Sequence, residues 1–372
     1  ISEDNQYSRE TAYKMASESA VLLKNDGILP LKPGRKTKTV ILGPNADVIP
    51  CGGGSGKVSP LYSISLYAGM QELGKNYPVQ LVTPDENGSY DTPENVKAIE
   101  SATTVIVVAG FNTKTEKESS DRTFTLPEGQ DELISFAAAH NQNVVTVVYA
   151  GGGFDMSKWM DKVKAIVLGW YPGQEGGLAL ARMLAGEFSP SGRLPMSIEA
   201  KWEDNPVHDS YYPKEKAENK RGFTNRYVTY SEGVFMGYRG YDRLGTKPLF
   251  PFGYGLTYTT FDYKDIAVTP SGEGFDVTFT LTNTGSKAAA EVVQVYVGEQ
   301  NPTVARPKKE LKGYDKIYLN KGESRLVTIF LPKSAFEFYD VNIHDFRANN
   351  GKFNVMVGAS VEDIRLNAEI TR

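Results

Sequence analysis

Three carboxylates and one guanidinium fall within the string TEKESSDR, at Glu116, Glu118, Asp121 and Arg122. Carboxyls this close in sequence can shift one another's proton affinity. A general acid is a carboxyl whose pKa has been raised by burial or by a like charge beside it. Arg122 is placed to hold one carboxylate ionised, most simply its neighbour Asp121, leaving a glutamate to carry a proton. Nothing in the spacing chooses between Glu116 and Glu118. Composition alone reads the cluster as solvated loop charge. Its surroundings argue for more: the apolar run VIVVAG (105–110) precedes it, and Leu126-Pro127 starts a helix after it. In open α/β sheets, ligands gather just beyond the carboxyl ends of the strands.

Few other residues could support chemistry. The sequence has no GxSxG elbow, no HExxH and no Walker loop. The run CGGGSGK (51–57) follows an apolar strand, but Lys57 is followed by Val58, and Ser59-Pro60 separate it from any helix. It reads as a tight or flexible loop on the ligand-facing edge and not as a phosphate cradle. Cys51 is the single cysteine, which excludes an internal disulfide and a Cys-based zinc site, and His140, His208 and His344 lack metal-ligand spacing. No cofactor or metal is expected. A net charge of −4 gives no reason to expect nucleic acid or an anionic membrane as a partner, and no apolar run is long enough to span a bilayer.

The elements that position the cluster follow from periodicity. Near-continuous apolar runs at 39–44, 79–84, 104–110, 144–151 and 165–173 predict buried strands of a mostly parallel sheet. Helices are predicted near 62–75, 93–101, 127–141, 155–162 and 174–187, with Thr92-Pro93 and Leu126-Pro127 as starts. The fold class is therefore an α/β sandwich, doubly wound, over 38–200. Before it, residues 1–37 read as a linker and entry helix, ETAYKMASESAVLLKND, stopped by Gly27. The polar, aromatic stretch 201–255 reads as a long irregular connection. From 256 to 372 the period becomes two. In FDVTFTLTN, Phe275, Val277, Phe279 and Leu281 share one face. About seven such segments predict an all-β sandwich of the fibronectin type III kind. The high tyrosine count, 21, suits sandwich cores as well as sugar faces.

Seven ordered motifs resemble the carboxyl-terminal half of glycoside hydrolase family 3, the β-glucosidase and β-xylosidase type. They are SAVLLKNDGILPLK (19–32), CGGGSGKVSP (51–60), KESSDRTFTLPEGQ (117–130), WYPGQEGGLALARMLAGEFSPSGRLPMS (170–197), VTYSEGVFMGYRGYD (228–242), LFPFGYGLTYTTF (249–261) and TNTGSKAAAEVVQVYV (282–297). The resemblance implies an amino-terminal (β/α)8 barrel bearing the nucleophilic aspartate, which has no equivalent in these residues. It also implies an α/β sandwich supplying the acid/base glutamate and a fibronectin-like domain after it. By the family's E-G-x-D-R pattern, Glu118 matches the acid/base position, with Ser119 standing where glycine is usual and Glu116 as the fallback. Asp121 and Arg122 would support it. Gly53, Gly54 and Ser55 match the loop on the leaving-group side, Gly54 replacing a bulky aromatic of some relatives. The stretch from Gly173 to Pro195 reads as structural, with Arg193 in a buried ion pair.

What the resemblance implies is part of an exo-acting retaining β-glycosidase, most simply a β-glucosidase, with β-xylosidase as the alternative activity. Its partners would be a β-glycoside or oligosaccharide, the barrel on the same precursor or a separate chain, and a second copy in a homodimer. Location is expected to be periplasmic or secreted. A different class also fits the modules: a non-catalytic carbohydrate-binding or scaffold protein.

Overall fold

The computed structural model describes residues 6–118, 120, 122–212, 215–218 and 224–372. They form two compact units. The first holds the described residues of 6–193 with 255–259 and 287–289, and the second holds the described residues of 194–254, 260–286 and 290–372.

The first unit is built on a six-stranded sheet. In chain order its strands are β1 (Val21–Asn25), β2 (Thr39–Leu42), β3 (Val79–Leu81), β4 (Thr104–Gly110), β5 (Val144–Tyr149) and β6 (Ala165–Leu168). Their spatial order is β1-β6-β5-β4-β2-β3, and β3, β2, β4, β5 and β6 run parallel. Every residue of β4 and β5 is buried, which is why both read as unbroken apolar runs. Helices lie on both faces. On one, Leu66 and Met70 of α2 (Leu66–Glu72) and Leu180, Met183 and Leu184 of α5 (Gly176–Ala185) join a core with Ile41, Ile106, Val108, Val145, Val147 and Val167. There α1 (Gln6–Ser19) packs on α5. On the other, α4 (Gln130–His140) packs on β4 and β5, with α3 (Pro93–Glu100) against it. Thr92 caps α3 through a bond from Asn95 N at 3.2 Å, with Pro93 in the first turn.

Two expectations are corrected. The entry helix stops at Ser19, and Val21–Asn25 is a strand antiparallel to β6, with Leu22 opposite Val167 and Asn25 opposite Ala165. The cause is burial: Val21, Leu22 and Leu23 are 0%, 0% and 1% exposed. Three consecutive residues cannot share one helix face, but a strand covered on both sides hides all of them. The helix expected over 155–162 is a turn followed by a short 3₁₀ segment, Met160–Lys162. Asp155 Oδ1 accepts from Ser157 N at 2.8 Å, and Trp159 N and Lys162 N bond three residues back to Met156 O and Trp159 O, so the backbone closes tight turns here in place of a helical ladder.

The second unit is the fibronectin-like sandwich. One sheet has the order β13-β10-β9 and the other β12-β11-β16-β17. These strands are β9 (Phe261–Ser271), β10 (Gly274–Asn283), β11 (Ala289–Glu299), β12 (Glu310–Leu319), β13 (Ser324–Leu331), β16 (Lys352–Gly358) and β17 (Ile364–Thr371). The period-two pattern is visible in the core, where Val277, Phe279 and Leu281 of β10 and Phe353, Val355 and Val357 of β16 are all 0% exposed. The described residues of 194–254 group with this unit and carry α6 (His208–Tyr211), the antiparallel pair β7 (Glu215–Glu218) and β8 (Thr224–Tyr227), and α7 (Tyr238–Leu244). Trp202 and Tyr211 meet edge to face at 5.0 Å, whereas Tyr230 is 75% exposed. A further ribbon joins β14 (Phe338–Asp340) and β15 (Asp345–Arg347).

Candidate active site

The strand order locates the site before any side chain is considered. From β2 the chain passes outward to β3, whereas from β4 it proceeds the other way, through β5 to β6. The winding reverses between β2 and β4, and a crevice opens beyond the carboxyl ends of strands at such a reversal. The loop after β2 carries Gly53, Gly54 and Ser55, and the loop after β4 carries Glu116 and Glu118. Ser55 and Glu118 are 63 positions apart, yet the β2–β4 pairing, Ile41 opposite Ile106, brings the two loops together.

Their junction is a short backbone bridge. Gly53 pairs with Lys117 in parallel register, and Gly53 N donates to Glu116 O at 2.8 Å. One residue on, Glu118 Oε2 accepts from both Ser55 N and Ser55 Oγ at 2.6 Å each. The Ser55 hydroxyl, helped by the Ser55 amide, holds the exposed Glu118 carboxyl below the usual glutamate range. Gly54 has φ +81°, and a Cβ there would lie 2.6 Å from Glu118 Cβ and Oε2. This position therefore accepts only glycine while Glu118 folds over the loop.

Replacing Ser55 by alanine removes the hydroxyl bond and leaves the amide bond. The Glu118 carboxyl is then expected to hold its proton to higher pH, read by ¹³C-carboxyl NMR titration of the chain. An unmoved midpoint would show that the hydroxyl contact is not formed in solution.

Glu116 occupies a different environment. Its Oε2 accepts from Tyr171 OH at 2.6 Å and from Gly151 N at 3.2 Å, and its Oε1 lies 3.7 Å from Arg122 Nε. Burial, then the bond to Glu116, pushes the Tyr171 phenol far above its ordinary pKa, so it stays a donor. Arg122 also donates from Nη2 to Gly153 O at 2.7 Å and stacks over Phe111 at 4.5 Å. Arg122 was expected beside Asp121. Among the described residues its carboxylate is Glu116, and Asp121 and Ser119 lie outside those residues.

The fold brings together Gly53, Gly54, Ser55, Glu116, Glu118 and Arg122, all candidates from the sequence. Tyr171, Gly151 and Gln130 join them without having been candidates. The signal for the first two was positional, since both lie in the loops just past the carboxyl ends of β5 and β6. Gln130 clasps the end of β4, its Oε1 accepting from Gly110 N at 2.7 Å and its Nε2 donating to Gly110 O at 3.0 Å. Arg193 Nη1 donates to Gly192 O at 3.1 Å. Among the described residues, no group of three or more His, Cys, Asp or Glu side chains is arranged to hold a metal ion, and no helix is long and apolar enough to cross a membrane.

Comparison with known proteins identifies these modules. The glycosyl hydrolase family 3 C-terminal domain matches residues 20–238, and the fibronectin type III-like domain matches residues 291–361. Thermostable beta-glucosidase B of Acetivibrio thermocellus is 37% identical over 99% of this chain and 49% of its own length. An exo-alpha-(1->6)-L-arabinopyranosidase of Bifidobacterium breve is 37% identical over 95% of the chain and 47% of its own length. The crystal structure of the Bifidobacterium adolescentis GH3 beta-glucosidase superposes with a TM-score of 0.89 at 35% identity, over 100% of this chain and 54% of that one. The chain thus spans about half the length of the relatives it matches. With its ordered motifs, its mixed six-stranded sheet and its sandwich, it belongs to glycosyl hydrolase family 3, whose C-terminal and fibronectin type III-like domains it contains.

Proposed function

We propose that this chain is the acid/base half of a retaining β-glycosidase of the β-glucosidase type, with Glu118 as proton donor and the nucleophilic carboxylate on a barrel outside these residues. The observation that carries the reading is the seat of Glu118, fixed on the glycine loop at the switch point of the sheet. Retaining glycosidases set two carboxyls about 5 Å apart on either side of the scissile bond. One attacks the anomeric carbon. The other protonates the departing oxygen, then removes a proton from the water that releases the sugar.

Glu118 must be protonated for the first step, and the Ser55 bonds favour its ionised form. Two changes reverse that preference when a barrel closes over the loop: the nucleophile's like charge arrives, and water leaves. In this reading Ser55 serves the second step, when the carboxylate is a base. A mostly exposed acid on an unaccompanied chain is therefore consistent with the role.

The test is complementation. The chain alone is expected to show no turnover of an aryl β-glucoside, and the chain joined to a family 3 barrel is expected to turn it over with retention of configuration. Turnover by the chain alone, or inversion in the joined protein, would refute the division of labour. The names of the relatives include both a beta-glucosidase and an arabinopyranosidase, so an arabinopyranoside belongs in the substrate panel.

A further inference from the structure

The loops beyond β2, β4, β5 and β6 converge on one residue, and it is not Glu118. The Glu116 carbonyl receives Gly53 N at 2.8 Å, from the loop after β2. The Glu116 carboxylate receives Gly151 N at 3.2 Å, from the loop after β5, and Tyr171 OH at 2.6 Å, from the loop after β6. Arg122 closes the group, with Nε 3.7 Å from Glu116 Oε1 and Nη2 2.7 Å from Gly153 O. The fit is close: a Cβ on Gly151 would lie 2.5 Å from Glu116 Oε1. The side chains of Glu116 and Arg122 are only 23% and 19% exposed.

We propose that Glu116 is the positioning residue of the acid/base loop, its carboxylate setting the register in which Glu118 meets Ser55; the inference rests on Glu118 being the proton donor. Two residues of chain span only about 7 Å, and Lys117 between them is pinned to Gly53. A movement of Glu116 therefore passes directly to Glu118. Glu116 is poorly placed to protonate a leaving group itself, because both of its oxygens face inward to donors from neighbouring loops. Glu118, at the loop surface, meets Gly54 and Ser55 instead.

The experiment is a ¹³C-carboxyl titration of glutamate in the 372-residue chain, with Glu118→Gln identifying the signal. Glu116→Gln keeps an acceptor for Tyr171 and Gly151 and should leave the Glu118 midpoint near that of the parent. Glu116→Ala and Tyr171→Phe should raise the midpoint, increasing the proton affinity of Glu118 several-fold, as loss of the Ser55 contact does. An unmoved midpoint in both, with only the melting temperature lowered, would reduce Glu116 to a structural role and overturn the proposal. So would a shift in Glu116→Gln as large as in Glu116→Ala, since the amide retains the acceptor. If Glu116→Ala does not fold, Tyr171→Phe, which deletes a single hydroxyl, decides the matter. The underlying reading fails separately: full activity of a Glu118→Ala variant in the barrel-joined protein would remove Glu118 as donor while leaving the titration result intact.

Discussion

Glu118→Ala, made in the barrel-joined protein, is expected to lower kcat/KM on alkyl and other poorly departing β-glucosides by about 10²- to 10⁴-fold, the usual worth of a positioned general acid. Substrates whose leaving group departs without a proton, such as a dinitrophenyl glucoside, should keep their first step and accumulate glycosyl-enzyme, because the base for the second step is missing. Azide, which needs no deprotonation, should then restore turnover and yield the β-glycosyl azide. That contrast separates a lost acid from a damaged fold, which would penalise both substrates alike. Azide rescue in Glu116→Ala but not in Glu118→Ala would transfer the chemistry to Glu116. The seat of Glu118 on Ser55, and its distance from the Tyr171 and Arg122 bracket, argue for the first outcome.

Gln130→Ala is expected to give the largest loss of stability. Gln130 is 7% exposed, and its amide satisfies both backbone groups of Gly110 at the end of β4. Alanine supplies no replacement, and Gly110 is too deep for water to follow without rearrangement. Each buried group left unpaired costs about 1–3 kcal/mol, so the pair costs about 2–6 kcal/mol. For a unit of this size the melting temperature falls by roughly 5–20 °C. Gly110 cannot relax easily, since its φ is +122° and a Cβ there would lie 2.0 Å from Tyr149 O. Gln130→Glu, which keeps the acceptor for Gly110 N but loses the donor, should fall between parent and alanine. A melting temperature for Gln130→Ala within a degree of the parent would show that the clasp contributes nothing.

The two modules were legible in the sequence because their cores are patterned differently. The runs that became β4 and β5 are buried on both faces, so they read as continuous apolar strands, while β10 is buried on one face and alternates. Where one run served two structures, the reading failed. Val21–Asn25 continues the helical spacing of α1, and only the open edge of β6, which no local pattern encodes, pulls it into the sheet. The site was legible as far as chain proximity reached: Glu116, Glu118 and Arg122 lie together, and the glycine loop follows the neighbouring strand. Tyr171 stayed hidden inside WYPGQEGG, a motif whose glycines and proline read as turn chemistry. Its link to Glu116 spans 55 positions and arises from strand order alone.

The antiparallel edge strand has a consequence for behaviour in solution. Without β1, the sheet would end at β6, a strand of Ala165, Ile166, Val167 and Leu168 with no charge, proline or bulge to discourage another chain from adding to it. Such an edge templates polymerisation. Val21–Asn25 caps it with the chain's own backbone, so these five residues keep the β6 edge from templating aggregation of this unit. A chain that begins after Asn25 keeps every residue of the crevice but is expected to aggregate, read as increased light scattering relative to the full chain.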